Sequence, residues 1–234
     1  DSTPPELVIE RIRDFDVVIL NKVRFERSHF EAAPNLKLIL VSATGTDNVD
    51  KQGAADHGVV VCNVTAYGTP SVSQHTLMLI LMIATQAERY RNDVKASRWS
   101  ESSMFCLMDY PIIDLEGRTL GIIGFGELGR AVGKLAESFG MRIIVMGRDG
   151  IEYAENSDRV SFDKLLEQSD FVSLHGLLNE QTQKMMNREA FQKMKQGSFF
   201  INTARGGLVD EDALCDALES GHLAGAGIDV LTTE

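Results

Sequence analysis

Apolar residues along the chain fall into two alternating patterns. Short apolar runs suit buried strands: Asp16–Leu20, Leu36–Val41, Val59–Cys62, Leu120–Ile123, Met141–Met146, Phe171–Leu174, Ser198–Ile201 and Ala224–Val230. Between them, apolar residues recur at helical spacing. Leu7, Ile9, Ile12 and Phe15 predict one amphipathic helix, and Phe25–Ala33 a weaker one. Val49–His57 reads as a helix ended by Gly58, and Leu128, Val132, Leu135, Ala136 and Phe139 mark a helix stopped by Gly140. Further helices are predicted over Phe162–Gln168, over Arg188–Met194 (closed by Gly197) and over Glu211–Ser220 (closed by Gly221). Pro70, Ser71 and Ser73 open a longer helix, predicted over 71–91. Its apolar positions cover nearly every face, so it is expected to lie buried between layers. Residues 92–116 are mixed, carry Pro111 and predict a connection with little regular structure. Strands alternating with helices predict a doubly wound parallel α/β sheet, with ligands at the carboxyl ends of its strands.

One stretch sharpens this picture. Leu120–Ile123 runs straight into Gly124, Gly126 and Gly129, spaced G-x-G-x-x-G, then into a helix and a second apolar strand. Within a strand–turn–helix–strand unit, that spacing is the dinucleotide-binding fingerprint. Gly124 permits the tight turn, Gly126 lets a pyrophosphate approach the backbone, and Gly129 lets helix and strand pack closely. The helix N-terminus offers unpaired N–H groups and the positive end of its dipole to phosphates.

Composition narrows the partners. A net charge of −11 argues against nucleic acid or an anionic membrane surface. The longest apolar run, Leu77–Ala84, is too short to span a bilayer. Cys62, Cys106 and Cys215 stand far apart and give neither a disulfide framework nor a metal-ligand spacing, which fits a reducing, cytoplasmic compartment and no metal. The chain begins at Asp1 and stops just past the last predicted strand, so it is read as part of a longer protein.

Four groups stand at predicted strand ends: Thr44-Gly45-Thr46-Asp47, His175-Gly176-Leu177, Asn202 to Gly207, and Asp229 with Glu234. An arginine flanked by small residues, as Arg205 is, suits a carboxylate, whose two oxygens match the guanidinium fork. A structural salt bridge is the other reading of that residue. Asn202–Leu214 (N-T-A-R-G-G-L-V-D-E-D-A-L) and G-A-G-I-D-V-L-T-T-E at 225–234 resemble the D-isomer-specific 2-hydroxyacid dehydrogenase family. Three segments resemble more narrowly its glycerate dehydrogenase and hydroxypyruvate reductase branch: N-V-T-A-Y-G-T-P-S-V-S-Q-H-T (63–76), F-C-L-M-D-Y-P-I (105–112) and L-E-G-R-T-L-G-I-I-G-F-G (115–126).

The resemblance implies a Rossmann cofactor domain over 71–234 and a smaller, incomplete flavodoxin-like substrate domain over 1–70. It implies hydride transfer between NADP(H) or NAD(H) and a small 2-hydroxy or 2-keto acid, such as hydroxypyruvate or glyoxylate. Arg205 matches the arginine that binds the substrate carboxylate and orients its carbonyl. Glu234 matches the acidic partner of a catalytic histidine. Thr44 and Gly45 sit where backbone amides receive the substrate carboxylate. Asp229 matches the aspartate near the nicotinamide carboxamide, and Leu177, Thr182, Thr203 and Ala204 line the cofactor. Glu127 and Leu128 lie against the pyrophosphate. A homodimer is implied as well, with the 71–91 helix and the segment after it as contact surfaces.

Two departures stand out. The family's catalytic histidine lies beyond the position of Glu234; His29, His57, His75, His175 and His222 all precede it and none matches. Either a tail supplies the proton donor or this chain is inactive. The turn His175-Gly176-Leu177-Leu178 also lacks the family's usual proline, which predicts a looser turn. For the coenzyme, NAD-preferring members end the second strand in an acidic residue that bonds the ribose hydroxyls. Gly147 holds that place here, followed by Arg148 and Asp149. Loss of the carboxylate and the presence of Arg148 favour NADP(H), whose 2′-phosphate an arginine pairs with; Asp149 in the acidic role is the other reading. The rival from a different class is a non-catalytic, nucleotide-sensing binding protein of the same fold.

Overall fold

The computed structural model describes residues 3–148, 150–154 and 157–233. The chain divides into two compact units, Asp1–Gly68 and Thr69–Glu234. In the first, helix α1 (Val8–Ile12) precedes strand β1 (Val17–Leu20), followed by α2 (Arg27–Ala32), β2 (Leu38–Val41), α3 (Lys51–Asp56) and β3 (Val60–Asn63). The three strands are parallel and lie in chain order, with Val17 opposite Leu38 and Leu38 opposite Val60. Val8, Ile12, Phe25, Phe30, Ile39 and Val41 form its core. Asp50 caps α3 by accepting the Gly53 N–H through its carboxylate at 2.8 Å.

The second unit opens with α4 (Thr69–Ala84), α5 (Ala87–Lys95) and α6 (Arg98–Glu101). The predicted 71–91 helix is thus broken; α5 runs on to Lys95 and α6 adds one short turn of helix, while 102–116 carries no helix or strand, as expected of that connection. The break falls at Gln86, which takes a left-handed conformation (φ 53°). Then come β4 (Thr119–Ile123), α7 (Glu127–Glu137), β5 (Arg142–Met146), β6 (Arg159–Val160), α8 (Phe162–Gln168), β7 (Phe171–Leu174), α9 (Arg188–Lys193), β8 (Ser198–Asn202), α10 (Glu211–Glu219) and β9 (Leu223–Ile228). All six strands are parallel, in the order β6-β5-β4-β7-β8-β9. Strand β6 has no counterpart in the sequence reading.

Alternation along each central strand explains why helices cover both faces. Leu120 and Ile122 of β4, Phe171 of β7, and Phe199 and Ile201 of β8 pack with Ile80, Ala84, Val132 and Ala136 of α4 and α7. Their neighbours Ile123, Val172, Leu174 and Phe200 pack the other way, with Leu165 of α8, Phe191 of α9 and Leu214 of α10. The apolar runs lack a polar face because both faces of the sheet are buried. The strand order reverses between β4 and β7, which sets a crevice outside their carboxyl ends.

Candidate active site

The crevice begins at the glycine turn. Gly124 follows β4 with φ +95°, a conformation glycine adopts without strain. A Cβ there would stand 2.4 Å from the Gly176 nitrogen, so the turns after β4 and β7 meet back to back at the strand reversal. Gly129, one turn into α7, lies so close to the Gly124 carbonyl that a Cβ would come within 2.2 Å of that oxygen. Gly126 is the opposite case: nothing stands within 4 Å of its would-be Cβ, and it is exposed at the N-cap of α7. The close packing predicted at Gly129 and the open approach predicted at Gly126 are both present. Leu128 is half-buried beside them, while Glu127 is exposed and its carboxylate accepts the Thr69 hydroxyl at 2.7 Å.

His175 ends β7. Its amide donates to the Ile123 carbonyl at 2.7 Å, and its Nε2 lies 2.9 Å from the hydroxyl of fully buried Ser173. Burial pushes the imidazole pKa down to about 4, so the ring is neutral near pH 7, and its buried Nδ1 has no hydrogen-bond partner. The turn that follows lacks the family's proline yet is braced. The Thr182 hydroxyl donates to the Leu177 carbonyl at 2.7 Å and accepts the Asn179 amide at 2.9 Å, and the Asn179 side chain accepts the Thr182 amide at 3.0 Å. Leu177 points into solvent on that scaffold, 81% exposed.

The arginine turn follows β8. Asn202, fully buried, holds it from both ends: its amide donates to the Arg205 carbonyl at 2.9 Å and its side-chain oxygen accepts the Ala204 N–H at 3.0 Å. Arg205 is half-buried, and its guanidinium donates to the Ala204 carbonyl at 2.8 Å. Gly206 lies directly against the chain after β9, since a Cβ would stand 2.0 Å from the Leu231 carbonyl carbon. The Asp229 amide donates to the Asn202 carbonyl at 3.0 Å, which places Asp229 beside the same turn. Glu234 and Asp149 lie outside the described residues.

Helix α4 ties these turns together. His75 Nε2 stands 2.8 Å from an Asp229 carboxylate oxygen, and the next residue, fully buried Thr76, shares a 3.0 Å hydrogen bond with Thr203. With Thr69 on Glu127, three side chains of one helix hold the groups after β4, β8 and β9. His75 and Thr76 close the segment 63–76 that resembles the glycerate dehydrogenase branch, but the sequence assigned neither a role, because a histidine and a threonine inside an apolar helix read equally well as core.

At the adenosine end of such a crevice, Gly147 follows β5, buried, with its amide donating to the Val160 carbonyl at 2.7 Å; Arg148 is exposed. In the first unit, the Thr44 hydroxyl donates to the Val64 carbonyl at 3.0 Å, and Asn63 donates to the Thr44 carbonyl at 2.7 Å. Those bonds fasten the Thr44-Gly45 turn to the end of β3.

An open glycine turn at a helix N-terminus, at the strand reversal of a parallel sheet, fits a dinucleotide. The family model described as "D-isomer specific 2-hydroxyacid dehydrogenase, NAD binding domain" matches residues 77–234. The chain is 41% identical to a glycerate dehydrogenase of Methylorubrum extorquens, over 98% of this chain and 72% of that protein. It is 40% identical to a hydroxypyruvate reductase of Blautia hydrogenotrophica, over 99% of this chain and 73% of that protein. Among solved structures, an acyclic imino acid reductase in complex with NADPH and D-Arg superposes with a TM-score of 0.91 at 25% identity, covering 100% of this chain and 74% of that one. The chain belongs to the D-isomer-specific 2-hydroxyacid dehydrogenase family.

Proposed function

We propose that the protein reduces a small 2-keto acid, hydroxypyruvate or glyoxylate, with NADPH. The observation that carries this reading is the convergence of the strand-end turns: the open Gly126 turn beside the His175-Gly176 turn, and the Asn202-braced Arg205 turn against the chain after β9. Bound coenzyme supplies the hydride. Gly124, Gly126, Glu127, Leu128 and Gly129 would hold its pyrophosphate, Gly147 and Arg148 its adenosine ribose, and Leu177, Thr182, Thr203, Ala204 and Asp229 the rest of its length. Arg205 would take the substrate carboxylate in a two-pronged contact and draw electron density from the neighbouring carbonyl. Thr44 and Gly45 of the first unit are further substrate-binding residues in this reading. Glu234 is the acidic partner of the proton-donating histidine; a carboxylate beside an imidazole raises its proton affinity and favours the charged donor that reduction requires.

Residues 1–70 are accordingly the substrate domain and 71–234 the coenzyme domain. The protein works as a homodimer in this reading, supported by the apolar segment after α6, where Phe105 is 88% and Met108 85% exposed. A cytoplasmic setting is supported by Cys62, Cys106 and Cys215, all free of disulfides. Among the described residues, no helix is long and apolar enough to cross a membrane.

A panel of hydroxypyruvate, glyoxylate, pyruvate and 3-phosphohydroxypyruvate, each with NADPH and NADH, tests the reading. Turnover of the first two is expected; coenzyme binding without turnover of any would favour the non-catalytic sensor instead. Arg205→Lys is expected to cut kcat/KM by about tenfold or more, about 1.4 kcal/mol or more, because a point charge cannot reproduce the two-pronged contact. Near-normal activity in that variant removes Arg205 from the role. Arg148→Ala is expected to weaken NADPH by about 1.5–3 kcal/mol while sparing NADH, as for one charge-assisted hydrogen bond. Equal losses for both coenzymes, or a wild type that prefers NADH, contradict the NADP(H) choice.

A further inference from the structure

The end of β5 carries a feature that neither the glycine motif nor the arginine turn explains. Gly147 extends the pairing of β5 with β6 through its amide. Tyr153, returning from the β5–β6 loop, fills the space that a side chain at 147 would use. A Cβ on Gly147 would stand 2.3 Å from the ring's Cε2 and 3.0 Å from Cδ2 and Cζ. The same tyrosine's hydroxyl oxygen accepts the backbone N–H of Arg148 at 3.0 Å. Gly150, with φ +74° and nothing near its would-be Cβ, helps the loop reverse. The ring is half-buried, while Arg148 is exposed.

We infer that Tyr153 is a specificity-determining residue for the coenzyme's adenosine end: its ring bars any side chain from position 147, and its hydroxyl positions Arg148 for a 2′-phosphate. The inference rests on the proposed coenzyme site and deepens it. A carboxylate at the end of the second strand bonds the ribose 2′-hydroxyl and repels a phosphate there. Here that carboxylate is excluded by sterics as well as by sequence. An aspartate at 147 has to push the ring aside, and a displaced ring gives up the Arg148 N–H bond. Position 147 and position 153 therefore act as a pair, and a change of coenzyme preference requires both. Tyr153 is a positioning residue in this account: it acts through Gly147 and Arg148.

The experiment measures dissociation constants for NADPH, NADH and 2′,5′-ADP in the wild type, Gly147→Asp, Tyr153→Ala, Tyr153→Phe and the double variant Gly147→Asp/Tyr153→Ala, with a melting temperature for each. Gly147→Asp alone is expected to lose NADPH and 2′,5′-ADP affinity without gaining NADH affinity. The double variant is expected to bind NADH about tenfold more tightly than Gly147→Asp does, the worth of one hydrogen bond to a charged group. Tyr153→Phe keeps the ring and loses the acceptor. It is expected to weaken NADPH and 2′,5′-ADP severalfold with NADH unchanged and the melting temperature close to wild type. Gly147→Asp matching the double variant in NADH affinity overturns the inference and leaves the coenzyme site standing. So does an unchanged NADPH-to-NADH ratio in both single tyrosine variants. A wild type that binds neither dinucleotide nor 2′,5′-ADP overturns the coenzyme site itself, and the inference with it.

Discussion

His175 shows how a single buried side chain is set by its surroundings. Burial drives its pKa from 6.5 to about 4. The unfolded chain therefore binds a proton between those two values that the folded chain refuses. The contribution to stability is whole above about pH 6.5, declines as the pH falls, and is gone by about pH 4, a total of about 3 kcal/mol at 1.36 kcal/mol per pKa unit. His175→Gln keeps a partner for the Ser173 hydroxyl and cannot titrate. Urea unfolding at pH 7.5 and pH 5 is expected to show the wild type losing about 2 kcal/mol more than this variant. Parallel losses would mean that the imidazole titrates normally in the folded protein. Visibility in the sequence differed sharply at this scale. Arg205 was visible because small residues surround it after an apolar run, and the glycines because their spacing is a motif. The role of His75 was not, because its partner Asp229 lies 154 positions on and only the fold brings it near; Tyr153 was not either, because nothing in a loop sequence shows that its hydroxyl turns back onto the Arg148 amide.

Elements were legible wherever local pattern and tertiary demand agree. Five of the six strands of the larger sheet, β4, β5, β7, β8 and β9, are rich in apolar residues, and a short apolar run located each within a residue or two. Where tertiary contacts override local pattern, the reading departed from the structure. Residues 71–91 carry no interior glycine or proline, and a continuous helix was the natural expectation. The helix breaks at Gln86 because its side-chain amide donates to the Ile83 carbonyl at 3.0 Å and the returning Ile113 amide takes the Ala84 carbonyl at 2.9 Å. A side chain and a segment returning from nearly thirty residues on thus satisfy carbonyls that glycine C-caps usually leave to local bonds. Strand β6 is two residues long, Arg159 and Val160, too short for any period to declare itself. The expectation that the long helix is buried between layers holds for one face only. Ser73, Thr76, Ile80 and Ala84 are buried at helical spacing, whereas Met78 remains 41% exposed. That buried stripe presents small and polar residues at its N-terminal end, which is why Thr76 reaches Thr203 instead of simply packing. The helix joins core and site, and its composition made the core half visible while hiding the other.

At the scale of the molecule, the two units differ in what holds them. Thr69–Glu234 buries two apolar layers, one on each face of a six-stranded sheet. Among the described residues, the first unit has one apolar cluster, and Val17, Ile19 and Val60 of its three-stranded sheet remain exposed. A domain of that length buries a smaller share of its chain's surface and is correspondingly marginal. The two units are therefore expected to unfold in separate steps, the first unit at the lower temperature. The sequence supplies a reporter for this, since its single tryptophan, Trp99, lies on α6 of the second unit. Far-ultraviolet circular dichroism follows both units and tryptophan fluorescence only one. NADPH at about a hundred times its dissociation constant contributes about 2.7 kcal/mol to whatever binds it. For a unit of this size that raises the melting point by about 5–10 °C. The fluorescence transition is expected to shift by that amount and the earlier dichroism step to stay in place. A single transition seen by both probes and moved as one by NADPH would show that the first unit draws its stability from the second, and that the coenzyme stabilises the chain as a whole.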